Sequence, residues 1–195
     1  MTDSLAALLA EIRACRFCVE TPKDAPLGHR PRPVVQASPS ARLAIFSQAP
    51  GARVHESGRP FTDASGDRLR EWLGIGSEIF YDAAKVAIVP MGFCFPGYDA
   101  KGGDKPPRAE CAPLWRRRVV AALPNIRTAV LVGSHAQRWH LGDRASSLTL
   151  TVERWRDVAP DFFPTPHPTW RNNGCLRKHP WFETELLPAL RREVA

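Results

Sequence analysis

The sequence predicts a three-layer α/β/α domain, in which helices cover both faces of a central, mostly parallel sheet of four strands. Short apolar runs without polar alternation recur along the chain, which is typical of strands buried on both faces. Segments with apolar residues at helical spacing lie between these runs, and such alternation favours a parallel sheet. The chain has 195 residues, of which 44% are hydrophobic, so we expect residues 1–195 to form one domain.

The amino-terminal half begins with a predicted helix. Its apolar residues Leu5, Leu8, Leu9 and Ile12 are spaced at i, i+3, i+4 and i+7, which places them on one helical face. Asp3 or Ser4 can cap its first turn, and the helix should end near Ala14. Residues 22–39 are rich in proline and predict an extended connection, because proline cannot continue a helix. The elements expected after it are a strand at 43–46, a helix at 66–74 and a strand at 86–89.

The carboxyl-terminal half continues the alternation. We expect a helix at 112–123, a strand at 128–132, a helix at 134–141, a strand at 157–163 and a final helix at 180–194. Loops with unusual composition follow the predicted strands. In parallel sheets, ligands bind beyond the carboxyl ends of the strands, so these loops are the expected functional site.

The charge of the chain favours a polyanionic partner. Its 27 Lys and Arg against 20 Asp and Glu give a net charge of +7 and a pI near 9.6, which suits nucleic acid without requiring it. A membrane span needs about 18 consecutive apolar residues, and the sequence contains no such run. We expect a cytoplasmic monomer that does not bind membranes. In that compartment, the five cysteines are better explained by metal or cluster binding than by disulfides.

Four cysteines are candidate ligands. Cys15 and Cys18 form a CxxC pair, Cys94 follows the second predicted strand, and Cys111 lies further along the same connection. Four thiolates can hold an iron-sulfur cluster or a tetrahedral zinc ion. The alternative is that Cys94 and Cys111 are small buried hydrophobic residues. Cys175 lies in a basic loop outside this pattern.

Two loops could bind a planar, charged ligand. In the first loop, a turn at residues 47–51 follows a strand, and Phe61 comes a few residues later. The main-chain amides of the turn and the face of the Phe61 ring could hold a planar group. The alternative is that this loop only connects two elements, as loops of this composition often do. The second runs from His167 and interleaves Trp170 with Arg171, Arg177 and Lys178. Cations can bind phosphates while a ring fills a gap in a base stack, which suits DNA; the alternative is a solvated loop.

Together, these segments resemble the uracil-DNA glycosylase superfamily, and within it the iron-sulfur group known as family four. That family begins with a CxxC pair, carries a GEAPG box followed by GxPFxGxxG, places two cysteines after the second strand, and ends with an HPSP-type box. The corresponding segments here are Cys15 with Cys18, residues 48–51, residues 58–61 with Gly66, Cys94 with Cys111, and residues 167–169. Their order and spacing are specific as a set, although each segment alone is not.

The resemblance implies an enzyme of base excision repair. It would flip a nucleotide out of single- or double-stranded DNA and hydrolyse the N-glycosidic bond of uracil or a related damaged base. Phe61 would stack on the base, His167 would stabilise the departing base anion, and Gln48 would orient water. The resemblance further implies that Ala49, Pro50, Gly51 and Pro90 surround the base. It also implies that Cys15, Cys18, Cys94 and Cys111 hold a [4Fe-4S] cluster, with zinc as the alternative. The three cations that follow His167 in one loop predict phosphate contacts by Arg171, Arg177 and Lys178, and Trp170 of the same loop, with Leu176 as a rival, is expected to fill the vacated stack.

Two residues depart from the family pattern. Gln48 replaces an acid, and an amide can orient water but cannot accept its proton. Nearby residues that could compensate are His55, Glu56 and Asp63. Pro90 replaces an asparagine that reads the uracil edge, and proline has neither a side-chain donor nor an N–H group. The base preference therefore stays open, as do two other functions: a cluster-bearing nucleic-acid-binding protein of the same fold that releases no base, and a hydrolase acting on another nucleic-acid ligand.

Overall fold

The computed structural model describes residues 4–195, and its centre is one parallel sheet. The strands are β1 (Leu43–Ser47), β2 (Val86–Pro90), β3 (Thr128–Val132) and β4 (Phe162–Thr165). Their order across the sheet is β2-β1-β3-β4, and every neighbouring pair is parallel. All residues of β1, β2 and β3 are buried, as expected for strands that are covered on both faces.

Helices cover both faces of the sheet. Ser4 caps the first helix by accepting a hydrogen bond from the Ala7 N–H, whereas Asp3 lies outside the described residues. The helices are α1 (Leu5–Ala14), α2 (Phe17–Glu20), α3 (Ala52–Ser57), α4 (Ala64–Leu73), α5 (Ser77–Phe80), α6 (Arg117–Ala121), α7 (Ser134–Leu141), α8 (Leu148–Glu153), α9 (Asn173–Lys178) and α10 (Leu187–Val194). Short π-helical segments, Ala112–Arg116 and Phe182–Leu186, precede α6 and α10.

Two hydrophobic cores lie on opposite faces of the sheet. Successive strand residues point to opposite sides, so Leu43 and Ile45 of β1 face one core while Ala44 and Phe46 face the other. The first core is completed by α4 and α10, and the second by α1, α6 and α7. This arrangement confirms the predicted α/β fold with its four-stranded parallel sheet.

The last strand differs from its predicted position. We expected residues 157–163, but β4 is Phe162–Thr165, and a 3₁₀ turn occupies Trp155–Asp157. Apolar residues of that region misled the prediction, because Trp155 and Val158 are buried without belonging to a strand. Pro164 lies within β4, which is possible because β4 is an edge strand and proline is tolerated there.

The described residues contain no helix with the length and apolarity needed to cross a bilayer. This finding concerns residues 4–195 only.

Candidate active-site cleft

A cleft of about 560 Å³ lies at the carboxyl-terminal edge of the sheet. Each strand brings a residue to it: Gln48 follows β1, Pro90 ends β2, His135 follows β3 and His167 follows β4. The four strands are parallel, so all their carboxyl ends meet at this edge. The volume is within the range of about 300–1,000 Å³ that small-ligand pockets usually have.

The structure brings most of the predicted site residues to this cleft. Those that line it are Gln48, Ala49, Pro50, Gly51, Phe61, Pro90, His167 and Arg171. Trp170, Arg177 and Lys178 do not line it. Trp170 is 74% exposed beside the cleft residues Thr169 and Arg171, while Arg177 and Lys178 are exposed on α9. Leu176 is buried in the first hydrophobic core, so it is not available at the surface.

The turn after β1 is held from two sides. The main chains of β1 and β2 continue to pair beyond the strands, since the Met91 N–H donates to the Ser47 carbonyl and the Gly92 N–H donates to the Gln48 carbonyl. The Gln48 side chain packs over Gly133, where an added Cβ would lie 3.5 Å from Gln48 Cγ. These contacts hold the Gln48 amide above the middle of the sheet, between the ends of β1 and β3.

Phe61 has an unusual backbone conformation. Its φ is +53°, in the left-handed region that non-glycine residues seldom adopt and that concentrates at functional sites. Its carbonyl accepts a hydrogen bond from the Tyr81 hydroxyl at 2.9 Å, and its ring packs edge-to-face on Phe80. Gly66 allows this turn to close, because an added Cβ would lie only 1.9 Å from the Phe61 carbonyl oxygen. The ring is therefore fixed where it lines the cleft.

Replacing Gly66 with Ala should disturb Phe61 directly. The new Cβ collides with main-chain atoms, which cannot rotate away, so we expect a loss of about 1–3 kcal/mol in the free energy of unfolding. Urea denaturation measures this change. Gly174→Ala is the matched control, because Gly174 is also helical and nothing lies within 4 Å of its added Cβ. Equal stability of Gly66→Ala and the unmodified protein would contradict the close contact.

His167 is held in the cleft as a neutral imidazole. Burial lowers the pKa of its side chain, while the nearby Asp63 carboxylate acts in the opposite direction. Its carbonyl accepts a hydrogen bond from the Asn172 side chain at 2.6 Å, which fixes the backbone after β4. A neutral imidazole has one N–H donor and one acceptor, so His167 can donate one hydrogen bond into the cleft at neutral pH.

Two buried polar residues that the sequence analysis did not identify hold the strand ends beneath the cleft. Gln137 of α7 donates to the carbonyls of Leu131 and Thr165, which joins the ends of β3 and β4. Arg116 is fully buried and donates to the carbonyls of Val89 (2.7 Å) and Pro90 (3.2 Å) at the end of β2. In the sequence, Arg116 is a cation within the predicted helix at 112–123, among apolar residues, and this position could have revealed that it is buried.

Arg116 is a buried cation that has no carboxylate partner among residues 4–195. Burial lowers its pKa to about 9. Its guanidinium lies 4.4 Å from the ring centroid of Phe46 and contacts Nε2 of His140, which also stacks on Phe46. Burial, with Arg116 nearby, lowers the pKa of His140 to about 3. His140 is therefore neutral and can accept the hydrogen bond from Arg116.

Two carboxylates line the cleft, and only one of them was a sequence candidate. Asp63 caps α4, and its Oδ1 accepts a hydrogen bond from the Gly66 N–H at 3.1 Å. Asp104 is exposed at the rim of the cleft. Loss of solvent around its carboxyl group raises the pKa of Asp104. The nearby Arg171 lowers this pKa, whereas the carboxylates of Asp63 and Asp99 raise it further. The loop that holds Asp104 has no periodic pattern that could have revealed it.

The other two sequence candidates for a compensating group lie outside the cleft lining. His55 packs its ring against His29, with ring centroids 4.8 Å apart, and against Phe95. Glu56 uses its carbonyl to accept a hydrogen bond from Arg32. Of the three candidates, only Asp63 reaches the cleft.

The four predicted ligand cysteines surround one small cavity. Cys15, Cys18, Cys94 and Cys111 all line it, whereas Cys175 is exposed elsewhere. The cavity lies between the start of α2 and the loop after β2. Burial raises the pKa of both the Cys94 and Cys111 thiols to about 12, and the Phe93 N–H donates to Cys111 Sγ. The structure thus assembles residues far apart in the sequence.

The arrangement of the four cysteines does not by itself select between a cluster and a single metal ion. In residues 4–195, no three His, Cys, Asp or Glu side chains are close enough to share one metal ion. Tetrahedral zinc requires its sulfurs to converge at about 2.3 Å from one point. In a [4Fe-4S] cluster each thiolate binds a different iron, so the sulfurs lie further apart around a larger group. Four thiolates are the donors of both groups, so the residue types fit a [4Fe-4S] cluster and also fit zinc.

Comparison with known proteins gives a family match and a similar enzyme. The family model of the uracil DNA glycosylase superfamily matches residues 34–191, which include every residue that lines the cleft. The chain is also similar to the type-4 uracil-DNA glycosylase of Sulfurisphaera tokodaii, with 25% identity over 180 residues that cover 85% of this chain and 74% of that protein. The family match begins after Cys15 and Cys18. With most of its length matched, this chain belongs to the uracil DNA glycosylase superfamily.

Proposed function

We propose that this protein is a DNA glycosylase that hydrolyses the N-glycosidic bond of uracil or a related damaged base. The observation that carries the proposal is one cleft lined by Gln48, Phe61 and His167, which come from different loops. These residue types supply the groups that the reaction needs: an amide to orient water, a ring to stack on a base, and a hydrogen-bond donor. Membership of the superfamily and the likeness to a type-4 enzyme support the same reaction.

The proposed reaction breaks the bond between the base and the sugar. A nucleotide leaves the DNA stack and enters the cleft, where its base lies on Phe61 and beside Ala49, Pro50, Gly51 and Pro90. As the bond breaks, the sugar becomes cationic and the base becomes anionic. The N–H of neutral His167 then stabilises the base anion, and the Gln48 amide orients water.

The proposed DNA-binding surface combines an exposed ring with nearby cations. Trp170 is largely exposed and follows the cleft residue Thr169, which supports a role in filling the space that the flipped nucleotide leaves. Leu176, the other candidate, is buried. Arg171 at the cleft and Arg177 and Lys178 on α9 would contact phosphates on either side of the lesion.

Replacing Arg171, Arg177 and Lys178 with Ala should weaken DNA binding and its salt dependence. Each lost phosphate contact lowers the magnitude of the slope of log K against log salt by about one, so the triple variant should lose up to about three. Titrations at several salt concentrations measure the slope. The matched control replaces Arg42, Lys85 and Arg127, exposed cations just before β1, β2 and β3 at the opposite edge of the sheet. Equal slopes for both triple variants would show that the loop does not face DNA.

We also propose that Cys15, Cys18, Cys94 and Cys111 hold a [4Fe-4S] cluster. When bound, it supplies a structural cross-link and no redox step, because hydrolysis transfers no electrons. Cys94 lies two residues after Gly92, whose N–H bonds to the Gln48 carbonyl. The cysteine site thus adjoins the loop that supports the catalytic turn. We expect the enzyme to be a cytoplasmic monomer whose 195 residues form one domain.

The decisive experiment is a base-release assay. Single- and double-stranded oligonucleotides carrying uracil, hypoxanthine, xanthine or hydroxymethyluracil are incubated with excess protein, and abasic sites are counted. Release of at least one base supports the proposal and establishes the base preference. Binding of every oligonucleotide without any release would instead favour a nucleic-acid-binding protein of the same fold.

A further inference from the structure

No carboxylate has yet been assigned to activate water in the proposed reaction. The Gln48 amide can orient water, but it cannot accept the proton of that water or place a full negative charge opposite the cationic sugar. The identity of the side chain that supplies this charge rests on the proposed function. The candidates are the two carboxylates that line the cleft, Asp63 and Asp104.

Asp63 is the better fixed of the two. It is half-buried, and its Oδ1 is held by the Gly66 N–H at the first turn of α4. The same Gly66 packs under the Phe61 carbonyl, so the carboxylate and the stacking ring belong to one rigid turn. Asp104 is exposed at the rim, and its carboxylate accepts no hydrogen bond from residues 4–195. A fixed group needs less reorganisation during the reaction than a mobile one does.

The second oxygen of Asp63 is available to the cleft. Among residues 4–195, no donor bonds to Oδ2. The carboxylate also acts on His167 from the loop after β4, since it favours the protonated form of that imidazole. Asp63 therefore lies in the same part of the cleft as the proposed donor to the base. The other charged groups that line the cleft near Asp63 include Asp104 and Arg171.

We propose that Asp63 is the carboxylate that activates water in this enzyme, in place of the acid that Gln48 replaces. In the box GxPFxGxxG, which residues 58–66 resemble, Asp63 occupies the position of the middle glycine. The chain thus carries an amide where the family has an acid, and an acid where the family has a glycine. Both positions line the same cleft.

The step balances without a further reactant. The bond between C1′ and the base nitrogen breaks, and its electron pair leaves with the base, whose negative charge the His167 N–H stabilises. Water forms the new bond to C1′ and gives its proton to Asp63. The products are an abasic sugar and the base anion, which takes up a proton on release.

Asp63→Asn tests this role while keeping the helix cap. Asparagine caps helices as well as aspartate does, so stability should hardly change. We expect single-turnover base release to fall by about a hundredfold to ten-thousandfold, as for a lost general base, with DNA affinity preserved. The control is Asp67→Asn, which removes a charge from the first turn of the same helix outside the cleft. It should keep the rate of the unmodified enzyme. Should Asp63→Asn fail to fold, Asp63→Ser offers another good cap.

A second readout does not depend on base release. NMR titration of the His167 imidazole should give a lower pKa in Asp63→Asn than in the unmodified protein, because the carboxylate raises it. Asp67→Asn should leave that pKa unchanged. A rate within tenfold of the unmodified enzyme for Asp63→Asn, or a larger loss in Asp104→Asn, would overturn the inference and leave the proposed function standing. If the unmodified protein releases no base from any oligonucleotide, both fall.

Discussion

Replacing His167 with Ala should reduce single-turnover base release by about a hundredfold to a thousandfold. This is the usual cost of removing a donor to a developing oxyanion. Because burial keeps the imidazole neutral, its N–H is present on both sides of neutral pH. The rate of the unmodified enzyme should therefore not fall as the pH rises from 6 to about 8, whereas a donor that had to be protonated would be lost over this range.

His179→Ala is the matched control for this experiment. His179 lies on the same connection between β4 and α10 but does not line the cleft, and its ring packs against Trp181. DNA affinity should be similar for both variants and the unmodified protein. His167→Gln, which restores a side-chain donor, should recover part of the lost rate. If His167→Ala keeps more than a third of the rate, the donor role is wrong.

Replacing Cys111 with Ala should remove the proposed cluster and destabilise the protein. The four cysteines join the amino-terminal segment to the loop after β2, so losing one ligand opens long loops. Removal of a disulfide, another cross-link between distant segments, typically costs about 2–5 kcal/mol in the free energy of unfolding, and we expect a loss of similar size here. Anaerobically purified unmodified protein should be brown with four irons per chain, whereas the variant should be pale and unfold at lower urea concentration.

Cys175→Ala provides the control for the cysteine experiment. Cys175 is exposed and does not line the cavity of the other four, so its removal should change neither colour nor stability. One zinc per chain in a colourless, folded protein would assign the site to zinc. A folded protein without iron or zinc would contradict both proposals.

The sequence predicted the sheet well because its strands are buried on both faces. Residues 43–46, 86–89 and 129–132 are uninterrupted apolar runs, which leave little choice of conformation. Helices of four to six residues, such as α2, α3 and α5, were not predicted, since they are too short to show a helical period. The last strand was displaced because buried apolar residues also occur in the turn before it.

The sequence by itself determined which residues follow each strand, and therefore which of them could meet at one edge of a parallel sheet. Only the tertiary structure decided that Asp63 reaches the cleft while His55 and Glu56 do not, and that Trp170 is exposed while Leu176 is buried. It also revealed Asp104 and the buried Arg116 beneath Pro90. The reason is physical: local periodicity predicts which face of an element is apolar, but the burial and direction of a loop side chain depend on packing against residues distant in sequence.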